Sequence, residues 1–306
     1  ALPISSRLSE NHYYMPTPTA AAGAVISHMD YYHQAIWPSL KVQFTSVTDQ
    51  WSAFAVAGPR SRDVLRKVVE DLDLSHEAFP FMAVADCTVL GGKTARLFRI
   101  SFSGELAYEI AVDARYGQQL WDALMAAGEE FGIAPYGLEA LNVMRIEKGH
   151  VTHAELDGRV SIADTGLGKM ASTKKDFIGR VATTRPAYGE KGREQLVGLR
   201  PVGAPTYGLT SEGQPDGPIM RAGTIVYGKD GALDWQNMQG WVSSVCYSPM
   251  LQGMIGLAFV ADGHSRLGET VRLHSHLHEQ RGESHAVEVE LVSGHFFDPE
   301  NERLLQ

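Results

Sequence analysis

The sequence is short of cysteine, of basic charge and of long apolar runs, and each shortage excludes something. Its two cysteines, Cys87 and Cys246, lie far apart. That excludes a disulfide framework or a four-cysteine zinc site and suits a reducing compartment. No stretch approaches the ~18 uninterrupted apolar residues of a membrane span. The opening Ala1-Leu2-Pro3-Ile4 has neither the basic start nor the apolar run of a signal peptide. Lys and Arg number 27 against 36 Asp and Glu, a formal net charge of -9. Such a chain offers little to a phosphate backbone, so nucleic acid is not an expected partner. Gly92-Lys93-Thr94 has the tail of a phosphate loop, but the required glycine five positions earlier is Cys87. No Gly-x-Gly-x-x-Gly opens a helix, and no Gly-x-Ser-x-Gly elbow is present.

What remains is an ordinary globular composition, 44% hydrophobic and 21% charged over 306 residues. At roughly 150 residues per domain this predicts two domains of a soluble, cytoplasmic protein. A short strand is expected around Tyr13 to Thr17. Ala20 to Gln34 reads as a helix, with Ala21, Val25, Met29 and Tyr32 on one face and Trp37-Pro38 closing it. Val42, Phe44 and Ser46 alternate as in a strand, and Trp51 to Ala57 is a second one. Pro59 opens a helix carrying Leu65, Val68, Val69 and Leu72. Val84 to Leu90 and Lys93 to Ser103 form a hairpin across Gly91-Gly92. Tyr108 to Val112 is a strand, and Tyr116 to Phe131 and Leu138 to Glu147 are helices. The expected class is α+β, with helices on one face of an antiparallel sheet.

A loop-rich tract follows from Gly149 to about Gly192. Beyond it come short strands at Leu196 to Leu199, Thr224 to Tyr227, Gln239 to Cys246, Met254 to Val260, Thr270 to Leu273 and Val287 to Val292. They predict a small β-barrel or jelly-roll-like domain. The expected division is residues 1–188 and 189–306. His274, His276 and His278 alternate, so on a strand they share a face. That arrangement suits either a metal or an exposed polar face, and the latter is preferred.

The segment with chemistry in it is Ser101-Phe102-Ser103-Gly104-Glu105-Leu106-Ala107-Tyr108-Glu109-Ile110. Two strand-like halves flank Gly104-Glu105, where the backbone turns and presents a carboxylate. By local pattern Glu105 is either a solvated turn residue or a ligand. It is followed by the helix Gly137 to Gly149, with Arg145-Ile146-Glu147-Lys148-Gly149 at its end. Thr165-Gly166-Leu167-Gly168 and Lys175-Asp176-Phe177-Ile178-Gly179-Arg180 come next.

In this order and spacing the blocks resemble the folate-binding family typified by the T-protein, or aminomethyltransferase, of the glycine cleavage system. The likeness is greater to one branch, the C-terminal region of alpha subunits of heterotetrameric sarcosine oxidases. It rests on Arg7 to Glu10, Thr45 to Trp51, Val56 to Arg62, Gly137 to Gly149, Ser248 to Leu251, Arg266 to Glu269 and Phe297 to Glu300. The resemblance implies a T-protein-like domain, incomplete at its N-terminus, and a C-terminal barrel. It implies tetrahydrofolate, with Glu105 accepting two adjacent pterin N–H groups in a forked pair. Phe102 takes the family's usual tyrosine position and offers a surface to the ring. Thr17 and Thr19 lie where relatives put small polar residues near the pterin. Arg145 is expected either to contact folate or to pair with Glu147 or Glu109. T-proteins carry a further arginine where this chain has Leu141.

The resemblance also implies a division of labour. Sarcosine is oxidised at a flavin on another part of the complex, and the imine carbon is trapped here as 5,10-methylenetetrahydrofolate. Beta, gamma and delta subunits would be partners. The family's catalytic Asp belongs to a pair upstream of Ala1, so no residue here is assigned that role, and the isolated chain is expected to be inactive. No metal is expected. Two other functions compete: a free-standing aminomethyltransferase or demethylase, and a non-catalytic scaffold for partner subunits.

Overall fold

A computed structural model of the chain describes residues 5–203, 220–275 and 286–306. It divides into two compact units, Ala1–Tyr136 with Asn301–Gln306, and Gly137–Glu300.

The first unit opens with a small hairpin, β1 (Ser6–Ser9) and β2 (His12–Tyr14). Pro16 and Pro18, which cannot donate to a ladder, follow the strand. Helix α1 (Ala22–Tyr31) ends in a widened turn, Tyr32–Ile36, where Trp37 N–H donates to Tyr32 O at 2.8 Å. None of α1's residues is buried. The alternating run at Val42 to Ser46 forms no strand among the described residues. Alternation alone cannot make a strand without an edge to pair with.

Four strands make the antiparallel sheet: β3 (Trp51–Ala57), β4 (Val84–Val89), β5 (Lys93–Phe98) and β6 (Ala107–Asp113), in the order β3-β6-β5-β4. The β4–β5 turn uses Gly91 and Gly92 at φ 70° and 96°, and Glu70 accepts both their N–H groups, at 2.7 and 3.1 Å. Period-two alternation gives the sheet two different faces. Val56, Leu97, Tyr108, Ile110 and Val112 join Val64, Leu65 and Val68 of α2 (Ser61–Val68) and Leu120 and Leu124 of α3 (Gly117–Gly128) in one core. The opposite face carries alanines, a carboxylate and aromatic rings. Strand β5 stops at Phe98, short of the expected Ser103, because residues 99–106 form the loop that enters β6.

In the second unit β7 (Glu194–Pro201), β8 (Ile225–Gly228), β9 (Met238–Ser248), β10 (Gly253–Ala261), β11 (Thr270–His274) and β12 (Val287–Val292) close a barrel, in the order β10-β7-β12-β11-β8-β9. Its interior holds Val197, Leu199, Val226, Val242, Val271, Leu273 and Val289. His274 is buried, with its ring edge-on to Tyr227, which corrects the expected exposed histidine face. His276 and His278 lie outside the described residues. Helix α4 (Leu138–Lys148) inserts Ile146 among Leu196, Cys246, Ile255, Leu257 and Phe259 on the barrel's outside. It ends at Gly149, φ 79°, where His150 N–H donates to Arg145 O at 2.8 Å and closes the last turn. In the tract that follows, α5 (Arg180–Thr183) is a single turn. Asp164, itself buried, anchors this tract by a pair with the half-buried Arg193, and its own carbonyl accepts from Leu196 N–H of β7 at 2.7 Å.

Candidate functional site

The loop between β5 and β6 is built around its own hydroxyls. Gly104, at φ 85°, turns the chain and donates its N–H to Ser101 Oγ at 3.0 Å. Glu105 N–H donates to Ser103 Oγ at 3.4 Å. The Glu105 side chain is only 18% exposed, so it is not a solvated turn residue. Oε1 accepts from Arg303 Nη1 at 3.3 Å, while the buried Oε2 has no hydrogen-bond partner among the described residues. A buried carboxylate oxygen left unpaired costs free energy unless a ligand or water completes it. Phe102, on the same loop, exposes 41% of its surface.

The alanine-bearing face of the sheet runs on from this loop. Residues at alternate positions share a face, so Glu105 is followed there by Ala107, Glu109 and Ala111. Glu109 lies opposite Ala55 on β3 and Phe98 on β5. Ala111 lies opposite Ala53 and Arg96. Its cross-strand neighbours are an alanine on β3 and an aromatic ring on β5. Tyr14 packs on Phe98 with ring centroids 5.8 Å apart, and edge-on to Trp51 at 6.3 Å. Arg96 lies over both rings, 4.8 Å from Tyr14 and 5.2 Å from Trp51, and grips Asp86 through two hydrogen bonds. Burial pushes the Glu109 carboxyl up from its ordinary range. It pushes the Tyr136 phenol up as well, and the Glu109 charge adds to that shift. Tyr14 is raised chiefly by burial, with Arg96 opposing and Glu109 assisting.

Among the expected site residues, Glu105 and Phe102 share one loop. Thr17 donates its hydroxyl to Pro18 O at 3.3 Å, and Thr19 begins a single tight turn. Among the described residues neither threonine hydrogen-bonds to Glu105. Arg145 is 4% exposed and engaged within its own unit: Nε donates to Asn142 Oδ1, Nη1 to Glu155 Oε2, and Nη2 to Ser244 Oγ. Its carboxylate partner is Glu155, rather than Glu147 or Glu109. The fork is thus committed to holding α4 against the barrel. Lys175, Phe177 and Ile178 line a cavity of about 470 Å³ in the tract after α4. Both cysteines are inert: burial, with nearby carboxylates, pushes the Cys87 and Cys246 thiols up to about 12. Among the described residues no cluster of His, Cys, Asp and Glu is placed to hold a metal.

Local sequence pattern assigns Glu109 no ligand role. Its signal lies in the alternation of Ala53, Ala55 and Ala57 and of Ala107, Glu109 and Ala111.

Comparison with known proteins agrees with this architecture. Residues 3–175 match the GCVT N-terminal domain, and residues 206–298 match the glycine cleavage T-protein C-terminal barrel domain. The chain belongs to the glycine cleavage T-protein family. Within that family it is 45% identical over 302 residues to the sarcosine oxidase subunit alpha of Rhizobium meliloti (strain 1021), covering 98% of this chain and 29% of that protein. It is 30% identical over 236 residues to an aminomethyltransferase of Koribacter versatilis (strain Ellin345), covering 76% of this chain and 56% of that one. The glycine cleavage system aminomethyltransferase T from Bartonella henselae has the same fold, with a TM-score of 0.76 at 18% identity over 99% of this chain and 73% of that one. The chain therefore spans under a third of the sarcosine oxidase relative and about half of the aminomethyltransferase. Among the described residues no helix is long and apolar enough to cross a membrane.

Proposed function

We propose that this chain is the tetrahydrofolate-binding, one-carbon-accepting part of a sarcosine oxidase. The observation that carries the proposal is the buried, unpartnered Oε2 of Glu105, beside the exposed ring of Phe102. Each carboxylate oxygen has two acceptor positions. Arg303 takes one on Oε1, and the rest of the carboxylate remains free to accept adjacent N–H donors of a pterin. Glu109 supports the reading from the same sheet face, as a second carboxylate among small residues and aromatic rings. Thr17 and Thr19 stay in the proposal as edge contacts. Arg145 stays only as a residue that holds α4.

Tetrahydrofolate, when bound, supplies the nucleophilic nitrogens that accept the carbon. The chain's own residues bind and orient the pterin and shield the site from water, which protects a hydrolysable imine. We assign the flavin chemistry to other parts of a cytoplasmic complex, with beta, gamma and delta subunits as partners. The 45% identity to a sarcosine oxidase alpha subunit supports this branch over a free-standing aminomethyltransferase. We also retain 1–188 and 189–306 as the two family domains, supported by the first barrel strand starting at Glu194.

The test is calorimetric titration of tetrahydrofolate into the full-length protein that contains this chain, with Glu105→Gln alongside. Losing a charge-assisted pair costs about 1.5–3 kcal/mol, or roughly 10- to 150-fold in affinity. Unchanged affinity removes Glu105 from the site.

A further inference from the structure

The loop that presents Glu105 and the segment Asn301–Gln306 belong to the same compact unit and exchange arginines in both directions. Arg99, at the start of the loop, is fully buried, and its Nη2 donates to Leu304 O at 3.2 Å and Gln306 O at 2.5 Å. In return, Arg303 reaches Glu105 Oε1 at the end of the loop. A third arginine, Arg62 of α2, donates from Nη2 to Gln306 O at 2.6 Å and from Nε to the Tyr108 hydroxyl at 2.9 Å. Tyr108 closes the circle, since the Arg99 guanidinium lies over its ring, 5.2 Å from the centroid.

These contacts serve different ends. A guanidinium removed from water needs acceptors, and Arg99 finds them in the carbonyls of this segment, with Nε and Nη1 unpartnered among the described residues. That pins Leu304 and Gln306 in place beside the loop. Arg303 is 47% exposed, so it contributes little to folding, yet it is the residue that touches Glu105. A hydrogen bond at one oxygen restricts rotation of the carboxylate, and with it the directions in which Oε2 can point. We propose that Arg303 is a positioning residue for the Glu105 carboxylate, and that Asn301–Gln306 is the strap that delivers it. The inference rests on the folate reading of Glu105 and adds to it the residue that sets the acceptor's orientation.

The experiment is a double-mutant cycle in the full-length protein, with tetrahydrofolate affinity measured by calorimetry and stability by thermal unfolding. Arg303→Met is expected to weaken binding about 2- to 5-fold, the range of an exposed ion pair, with Arg303→Lys recovering most of the loss. In a Glu105→Gln background, Arg303→Met is expected to add nothing. An equal loss in both backgrounds overturns the inference, since it shows a structural role independent of Glu105. Unchanged or tighter binding by Arg303→Met, while Glu105→Gln binds weakly, overturns it and leaves the folate reading standing. Unchanged binding by Glu105→Gln overturns both.

Discussion

Arg145 and Glu155 form a buried ion pair, 2.9 Å apart, with side chains 5% and 0% exposed. Glu155 also accepts from Ser244 Oγ at 2.5 Å, Ser243 Oγ at 2.9 Å and Thr152 N–H at 2.9 Å. Every strong acceptor position on this carboxylate is thus in use inside the second unit. A pair so placed joins helix, loop tract and barrel.

Breaking that pair should destabilise the protein. Arg145→Met leaves an uncompensated buried charge and is expected to cost about 3–5 kcal/mol, read from denaturant unfolding. A cost below 1 kcal/mol removes the pair from the account of how α4 is held.

The same site predicts an acid dependence. Burial pushes the Glu155 carboxyl up, but Ser244, the Thr152 N–H, the Arg145 charge and Ser243 together hold it below the ordinary glutamate range. With the folded value below the unfolded one, the stabilisation is fully present above about pH 4.3. It is lost as pH falls through the folded value. Removing the Arg145 charge raises that value toward the unfolded one, so Arg145→Met should lose less stability to acid than the parent does, from its lower starting point. Stability curves across about pH 3–6 test this, and an equal acid loss in both proteins refutes it.

Glu109 should show opposite effects on stability and binding. Burial raises its carboxyl, so the folded state binds this proton more tightly than the unfolded state does. The group therefore opposes folding when it ionises, and the penalty fades as pH falls below the folded value. Glu109→Gln is expected to raise the melting temperature at neutral pH while weakening tetrahydrofolate roughly tenfold. A higher melting temperature with unchanged folate affinity confines Glu109 to a structural role.

Gly149 tests the packing at the end of α4. Its φ of 79° disfavours any side chain, and an added Cβ would stand 2.4 Å from Gly294 O. The left-handed conformation alone costs roughly 1–2 kcal/mol. Gly149→Ala is expected to lose about 2–4 kcal/mol once the clash is included. Thermal unfolding gives the value, and a loss under 1 kcal/mol means the helix end moves freely.

Much of the architecture could be read from local pattern. Trp51–Ala57 was expected residue for residue, and Val287–Val292 likewise, because period-two burial and glycine-bounded turns are properties of the strand itself. Gly91-Gly92 named the hairpin turn for the same reason. Pattern failed at Val42 to Ser46, where alternation had no edge to pair with, and at His274, whose burial depends on barrel closure.

The sequence by itself determined the two-part α+β and barrel layout, the family, and the loop bearing Glu105. Each of these depends on residue type at short spacing. Only the tertiary structure decided what the side chains do. It gave Arg145 to Glu155, ten positions on, and to Ser244, 99 positions on. It brought Arg303 to Glu105 across 198 positions and set Glu109, partly buried, opposite Ala55. Such partnerships depend on which groups burial leaves without water. A carboxylate or guanidinium must find its partner in the folded chain, and nothing near it in sequence says where that partner lies.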